Sequence, residues 1–225
     1  MADSSRLAAL NTGIIACARC DRLAVYIREV AQIKRRAYSD WTYWGRPVPS
    51  FGPPDARLLI LGLAPGAHGA NRTGRVFTGD SSGNFLYRAL FETGFASQPQ
   101  SVSKDDGLQL IDARIACAVR CAPPGNKPTP VEIRTCRAWL VEELALMPNV
   151  QVVVALGRVA FDDYLALRGL RGRVFGHNTE HVLTAGLPVL ISSYHPSQQN
   201  TSTGKLTAPM LKEVFQRARK LISLT

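Results

Sequence analysis

Nowhere in the 225 residues does an apolar run approach the roughly 20 residues that span a bilayer, which excludes a membrane-embedded helical protein. Residues 1–9 lack the basic patch and apolar core of a secretory leader, and a soluble cytoplasmic chain is the expectation. There is no internal repeat, long linker or low-complexity tract. Hydrophobic residues at 46% and charged residues at 20% are the balance of an ordinary globular protein. One domain over residues 1–225 is expected, with residues 1–54 forming a cysteine-bearing helix and an irregular segment packed on it. The five cysteines are an odd set, which argues against a disulfide framework.

Acidic side chains are the scarcer sign, 17 against 27 Lys and Arg, leaving a net charge of +10. Such a field attracts phosphate backbones without reading any base, so nucleic acid is the first partner class; solubility alone is the bland alternative.

Residues 21–38 read as a helix because Leu23, Ile27, Val30 and Ile33 recur at helical spacing; it ends in Lys34-Arg35-Arg36. Residues 41–54, rich in Trp, Tyr, Gly and Pro, read as irregular. The apolar run at 58–63 predicts a buried strand, and 113–119, 151–156 and 188–193 predict three more. Helices are expected over 85–95, after Gly157 to residue 167, and over 208–222. Another opens with Thr129 as cap, Pro130 at the first helical position and Glu132 closing a capping box. Strands alternating with helices predict an α/β chain with a four-stranded, mostly parallel sheet. Sites in such sheets gather beyond the carboxyl ends of the strands. Here the loops after the first, second and fourth strands carry residues 62–80, 121–126 and 195–200.

Cys17 and Cys20 offer two thiolates from one turn, Cys121 precedes a loop, and Cys136 lies in the helix after it. Four thiolates suit tetrahedral zinc or a four-cysteine iron–sulfur cluster equally well. Cys117, on a predicted strand, reads as a buried small hydrophobe. The densest feature is the glycine-rich stretch 62–80, whose glycines allow a close backbone approach to a ligand. It lacks the Gly-Lys-Ser/Thr ending of a nucleotide P-loop and the spacing of a dinucleotide fingerprint. Arg72 and Arg75 offer phosphate contacts, and Phe77 a flat face for a base.

That stretch, the segment Cys121-Ala122-Pro123-Pro124-Gly125-Asn126-Lys127-Pro128 and the segment His195-Pro196-Ser197-Gln198-Gln199-Asn200, with the cysteines, resemble the uracil-DNA glycosylase superfamily. Within it they resemble the iron–sulfur type-5 (family 5, B-type) branch, over nearly the whole chain from Cys17 to the last helix. The resemblance implies a three-layer α/β/α sandwich. It implies a structural 4Fe–4S cluster on Cys17, Cys20, Cys121 and Cys136, with zinc as the alternative and no organic cofactor. It implies a DNA repair enzyme that flips uracil, and other deaminated bases such as hypoxanthine, out of DNA and hydrolyses the N-glycosidic bond. A monomer is expected of an enzyme reading one lesion at a time.

The chemistry needs a platform for the base, a stabiliser of the anionic leaving group and a group that positions water. On the resemblance, Phe77 is the platform, and Gly62, Ala64, Pro65 and His68 line the pocket. His195 donates to the base carbonyl, Asp80 handles water and the cationic sugar, and Asn126 reads the base edge. Arg72, Arg75, Lys127, Ser197, Gln198, Gln199 and Asn200 contact DNA, with Lys34-Arg35-Arg36 and Lys205 as further phosphate candidates. Each site residue has a local alternative: a core phenylalanine, a turn histidine, a helix cap at Asp80-Ser81, a turn asparagine. The chain departs from other branches of the superfamily by carrying Leu63-Ala64 where they place a polar or acidic residue. It also carries Cys117 where type-4 enzymes place an asparagine. Both departures move the water role to Asp80 and imply a broad pocket. The rival readings are a non-catalytic iron–sulfur nucleic-acid-binding protein, a type-4-like enzyme restricted to uracil, and, more weakly, a zinc hydrolase.

Overall fold

The computed structural model describes residues 4–223, so the first three residues of the stretch read against a leader lie outside it. The central sheet has the order β2-β1-β3-β5-β4. Strands β1 (Leu58–Gly62), β2 (Ala113–Cys117), β3 (Val152–Leu156) and β5 (Val189–Ser193) are mutually parallel, as the predicted runs require. The sheet has five strands rather than four. The extra strand, β4 (Thr179–His181), is a short antiparallel edge on β5. Three mixed residues carry neither an apolar run nor a clean alternation, so pairing with β5, rather than local pattern, makes this segment a strand.

Strands β1, β2 and β3 are buried along their whole length, which fits the unbroken apolar sequences of β1 and β3; β2 carries one buried charge, Arg114. Alternate residues point to opposite cores. Leu58, Ile60, Ile115, Val154 and Ile191 face a core built with α4 (Ser81–Glu92) and α8 (Ala208–Ser223). Leu59, Leu61, Val153, Ala155 and Leu190 face a second core built with α1 (Ser4–Ile15), α5 (Pro130–Ala145) and α6 (Arg158–Leu167). These are the three layers of an α/β/α sandwich. Among the described residues, no helix is long and apolar enough to cross a membrane.

The helix expected to run from 21 to 38 stops earlier. α2 spans Asp21–Ile33, and a separate 3-10 turn covers Arg36–Tyr38. Lys34 takes a positive φ of 59° at the break and ends the helix. α4 begins four residues before the predicted start because Asp80 caps it, accepting the Gly83 amide. Thr129 and Glu132 form the expected capping box on α5. The irregular segment after α2 lies on the sheet's outer edge, where Phe51 pairs with Ile115 of β2.

Candidate active site

The loops leaving the carboxyl ends of the strands are tied together at their roots. Ala118 and Val119 donate main-chain N–H bonds to Gly62 and Leu63, and Gly157 donates to Ser193. Phe77 therefore comes to face His195, with ring centroids 5.8 Å apart and planes inclined by 32°. Phe77 has a left-handed φ of 50°, a conformation a bulky residue adopts only when its surroundings impose it. Gly62 leaves the room for its ring: a Cβ there would stand 2.8 Å from Phe77 Cε2 and 3.5 Å from Cys117 Sγ. Cys117 pairs in register with Gly62 at the end of β2; its thiol is buried, as expected, and burial pushes it up to about 12.

Asp80 does two things at once. One carboxylate oxygen accepts the Gly83 amide at 2.9 Å and caps α4. The other lies against the Gly66–Gly69 turn, where a Cβ at Gly66 would stand 2.9 Å from Oδ2 and one at Gly69 would overlap it. Burial raises the Asp80 carboxyl; the amides of Gly83 and Ser82 and the charge of Arg72 pull the other way. His195 responds to burial alone, which pushes its imidazole down to about 4 and leaves it neutral at neutral pH. Asn200, expected at the DNA, donates its side-chain amide to the His195 carbonyl at 2.8 Å, and Ser197 caps α7 (Gln198–Ser202). These two residues hold the histidine loop, while Gln198 and Gln199 are exposed.

The two loop arginines are not free for phosphate. Arg75 is 4% exposed, is paired with Asp106 at 2.7 Å, and donates to Thr78 Oγ1 and Ser101 Oγ at 2.9 Å each. Arg72 is 3% exposed and clamped between the rings of Tyr38 and Trp41, at 3.9 and 4.1 Å, while donating to the carbonyls of His68 and Gly79. Both brace the glycine-rich loop, with its short helix α3 (Ala70–Thr73), around Phe77. Sequence offered no sign of this, since Tyr38, Trp41, Ser101 and Asp106, which enclose them, lie in other segments. His68 is half-buried, its Nδ1 3.0 Å from the Tyr43 hydroxyl; burial, then Arg35 and Arg72, lower its pKa. Ala64 is half-buried and Pro65 buried. Asn126 lies exposed in the 3-10 turn Pro124–Asn126 with φ 57°, and Lys127 beside it is exposed.

A family model described as the uracil DNA glycosylase superfamily matches residues 49–219, which include every one of these loops. The chain belongs to the uracil-DNA glycosylase superfamily. It is 51% identical to a type-5 uracil-DNA glycosylase of Thermus thermophilus over 94% of this chain and 96% of that protein. It is also 51% identical to a type-5 uracil-DNA glycosylase of Mycobacterium tuberculosis, over 96% of this chain and 81% of that one. A type-4 uracil-DNA glycosylase of Archaeoglobus fulgidus is 30% identical over 78% of this chain.

In this superfamily member the remaining cysteines gather on the other side of β2. Cys17 follows α1, Cys20 is the residue before α2, Cys121 follows β2 and Cys136 lies on α5; all four line one cavity. Arg22 bolts two walls of that cavity together, donating to both oxygens of Glu132 at 2.8 and 2.7 Å. Trp139 Nε1 donates to Cys17 Sγ at 3.4 Å, and the Arg120 amide to Cys136 Sγ at 3.3 Å. Burial, then the neighbouring thiols, push Cys121 up; burial pushes Cys136 up to about 11 against the pull of Arg120. Among the described residues, no three His, Cys, Asp or Glu side chains converge closely enough to hold a single metal ion.

Proposed function

We propose that the chain is a single-domain, monomeric DNA glycosylase of the cytoplasm that removes uracil from DNA by hydrolysis. The observation that carries this is the facing of Phe77 and His195 at 5.8 Å; the same loop that carries Phe77 seats the Asp80 carboxylate against Gly66 and Gly69. The flipped base stacks on Phe77 over a floor formed by Gly62, with Ala64, Pro65 and His68 along the wall and Asn126 closing over the base edge when DNA is bound. Neutral His195 donates an N–H to the uracil carbonyl as negative charge builds there. Its buried surroundings make that hydrogen bond stronger than it would be in water. Asp80 accepts a hydrogen bond from the attacking water and faces the cationic sugar. Water supplies the hydroxyl to the sugar carbon, the C–N bond breaks, and the base departs with the bonding pair and is protonated. Lys127, Gln198 and Gln199 meet the DNA.

The pocket floor favours a substrate range wider than uracil. Cys117 brings only a buried, weakly hydrogen-bonding thiol beside Gly62, so no strong donor or acceptor there demands a pyrimidine edge. Hypoxanthine-containing DNA is therefore also cleaved.

The four cysteines hold a 4Fe–4S cluster. A single zinc needs its thiolates about 2.3 Å from one point. Thiols spread around a cavity, two of them accepting N–H bonds, suit the larger cluster better. When bound, the cluster ties α2, α5 and the Cys121 loop together and takes no part in the bond cleavage.

The test is single-turnover cleavage of uracil-, hypoxanthine- and cytosine-containing duplexes, read after alkaline cleavage of abasic sites. The wild type cuts the first two. His195→Ala and Asp80→Asn lose cleavage while keeping DNA affinity. Binding without cleavage by the wild type leaves the non-catalytic reading standing.

A further inference from the structure

A buried ionic network lies next to the cysteine cavity, and base excision makes no use of it. The side chains of Arg120, Arg114 and Glu143 are 1%, 4% and 0% exposed. Arg120 Nη2 donates to Glu143 Oε2 at 2.6 Å, Arg114 Nε to Oε1 at 2.7 Å, and Ser50 Oγ to Oε2 at 2.7 Å. Burial works against the Glu143 carboxylate, but Arg120 and Arg114 overcome it and hold the group ionised. Two guanidiniums and one carboxylate leave one positive charge in excess, out of contact with water. Arg120 Nε and Arg114 Nη2 are buried with no hydrogen-bond partner. An uncompensated buried charge is strongly destabilising, so a negative charge has to lie nearby. Arg120 lines the same cavity as Cys17, Cys20, Cys121 and Cys136, and its amide already bonds the Cys136 sulfur.

We infer that Arg120, backed by Arg114 and Glu143, is the countercharge for the four cysteine thiolates and the cluster they hold. The inference rests on the cluster assignment made above. The potential of a thiolate-bound cluster follows its net charge and the hydrogen bonds to its sulfurs. A buried positive charge favours the electron-rich state and holds the ligands as thiolates. A buried negative charge acts in the opposite sense.

The experiment uses the holoprotein purified anaerobically. Iron content and visible absorption are measured first, then the one-electron midpoint potential and the rate of iron loss to a chelator. Arg120→Met lowers the midpoint by a shift of about tenfold in the reduction equilibrium, about 59 mV for one electron, and speeds iron loss. Arg120→Lys, which keeps the charge, stays near wild type. Glu143→Gln moves the midpoint the other way. Shifts of the same sign in Arg120→Met and Glu143→Gln, as general loosening gives, overturn the inference, as does equal behaviour of the Met and Lys variants. If Arg120→Met fails to fold, Arg120→Lys and Glu143→Gln still decide the sign. Wild-type protein without iron defeats the cluster assignment and this inference with it. An intact cluster with potentials indifferent to these charges defeats the inference alone.

Discussion

Replacing Gly69 by alanine tests whether the position of the Asp80 carboxylate matters to the chemistry. A methyl group at residue 69 would overlap Asp80 Oδ2 and stand 2.8 Å from its Cγ, where ordinary contact begins at 3.4 Å. The carboxyl carbon must retreat by at least about 0.6 Å, and the oxygen by more. A misplacement near 1 Å in an active site costs about 100-fold, so a loss of about 10- to 100-fold in single-turnover cleavage of uracil-containing DNA is expected. Moving Oδ1 also weakens the cap on α4, which costs about 0.5–2 kcal/mol of stability and lowers Tm slightly. DNA affinity, measured by fluorescence anisotropy on an uncleavable duplex, stays within about twofold if the carboxylate acts on the reaction rather than on binding. Gly66→Ala, whose Cβ meets the same oxygen at 2.9 Å, gives a smaller loss. Wild-type cleavage by folded Gly69→Ala would refute the role given to Asp80 and leave it a helix cap. A loss of affinity equal to the loss of rate would point to a distorted DNA surface instead.

Arg75→Met removes one partner of a buried ion pair and lowers stability by about 3–5 kcal/mol in chemical denaturation. The salt dependence of its DNA binding stays that of wild type, because its guanidinium faces Asp106 rather than phosphate. Lys127→Ala does the reverse: stability holds, and the slope of log affinity against log salt falls by about one. Phe77→Ala, removing the ring that faces His195, cuts single-turnover cleavage far more than it cuts binding of undamaged duplex. His195, with its folded pKa pushed down by burial to about 4 from the ordinary imidazole value of 6.5, is protonated in the unfolded chain and neutral in the folded one between those values. Its contribution to stability is whole above pH 6.5 and is lost as pH falls towards 4, at about 1.4 kcal/mol per unit. His195→Gln therefore flattens the acid limb of the stability profile; an unchanged limb would mean that the imidazole is not held neutral.

Sequence alone determined the elements whose signal is local. Val152–Leu156 is short, apolar throughout, rich in valine and closed by Gly157, which marks a buried strand, and Thr129, Pro130 and Glu132 carry a complete helix start in their own side chains. The alternation of such elements implied a mostly parallel sheet, and hence which strand ends would hold the site. Cysteine positions and loop motifs, read through family resemblance, supplied the candidate residues. Tertiary structure decided whatever depends on partners distant in the chain. β4 exists because β5 offers an edge. Arg75 became a brace because Asp106 and Ser101 meet it, and Arg72 because Tyr38 and Trp41 enclose it. Gly66 and Gly69 read as room for a ligand, yet the group they make room for is Asp80. The excess charge beside the cysteines was equally hidden, since Arg114, Arg120 and Glu143 look like ordinary surface charges until β2 and α5 pack together and exclude water from all three. A side chain's type fixes what chemistry it can do, but whether it faces solvent, substrate or another side chain is set by contacts that form only when the chain closes on itself.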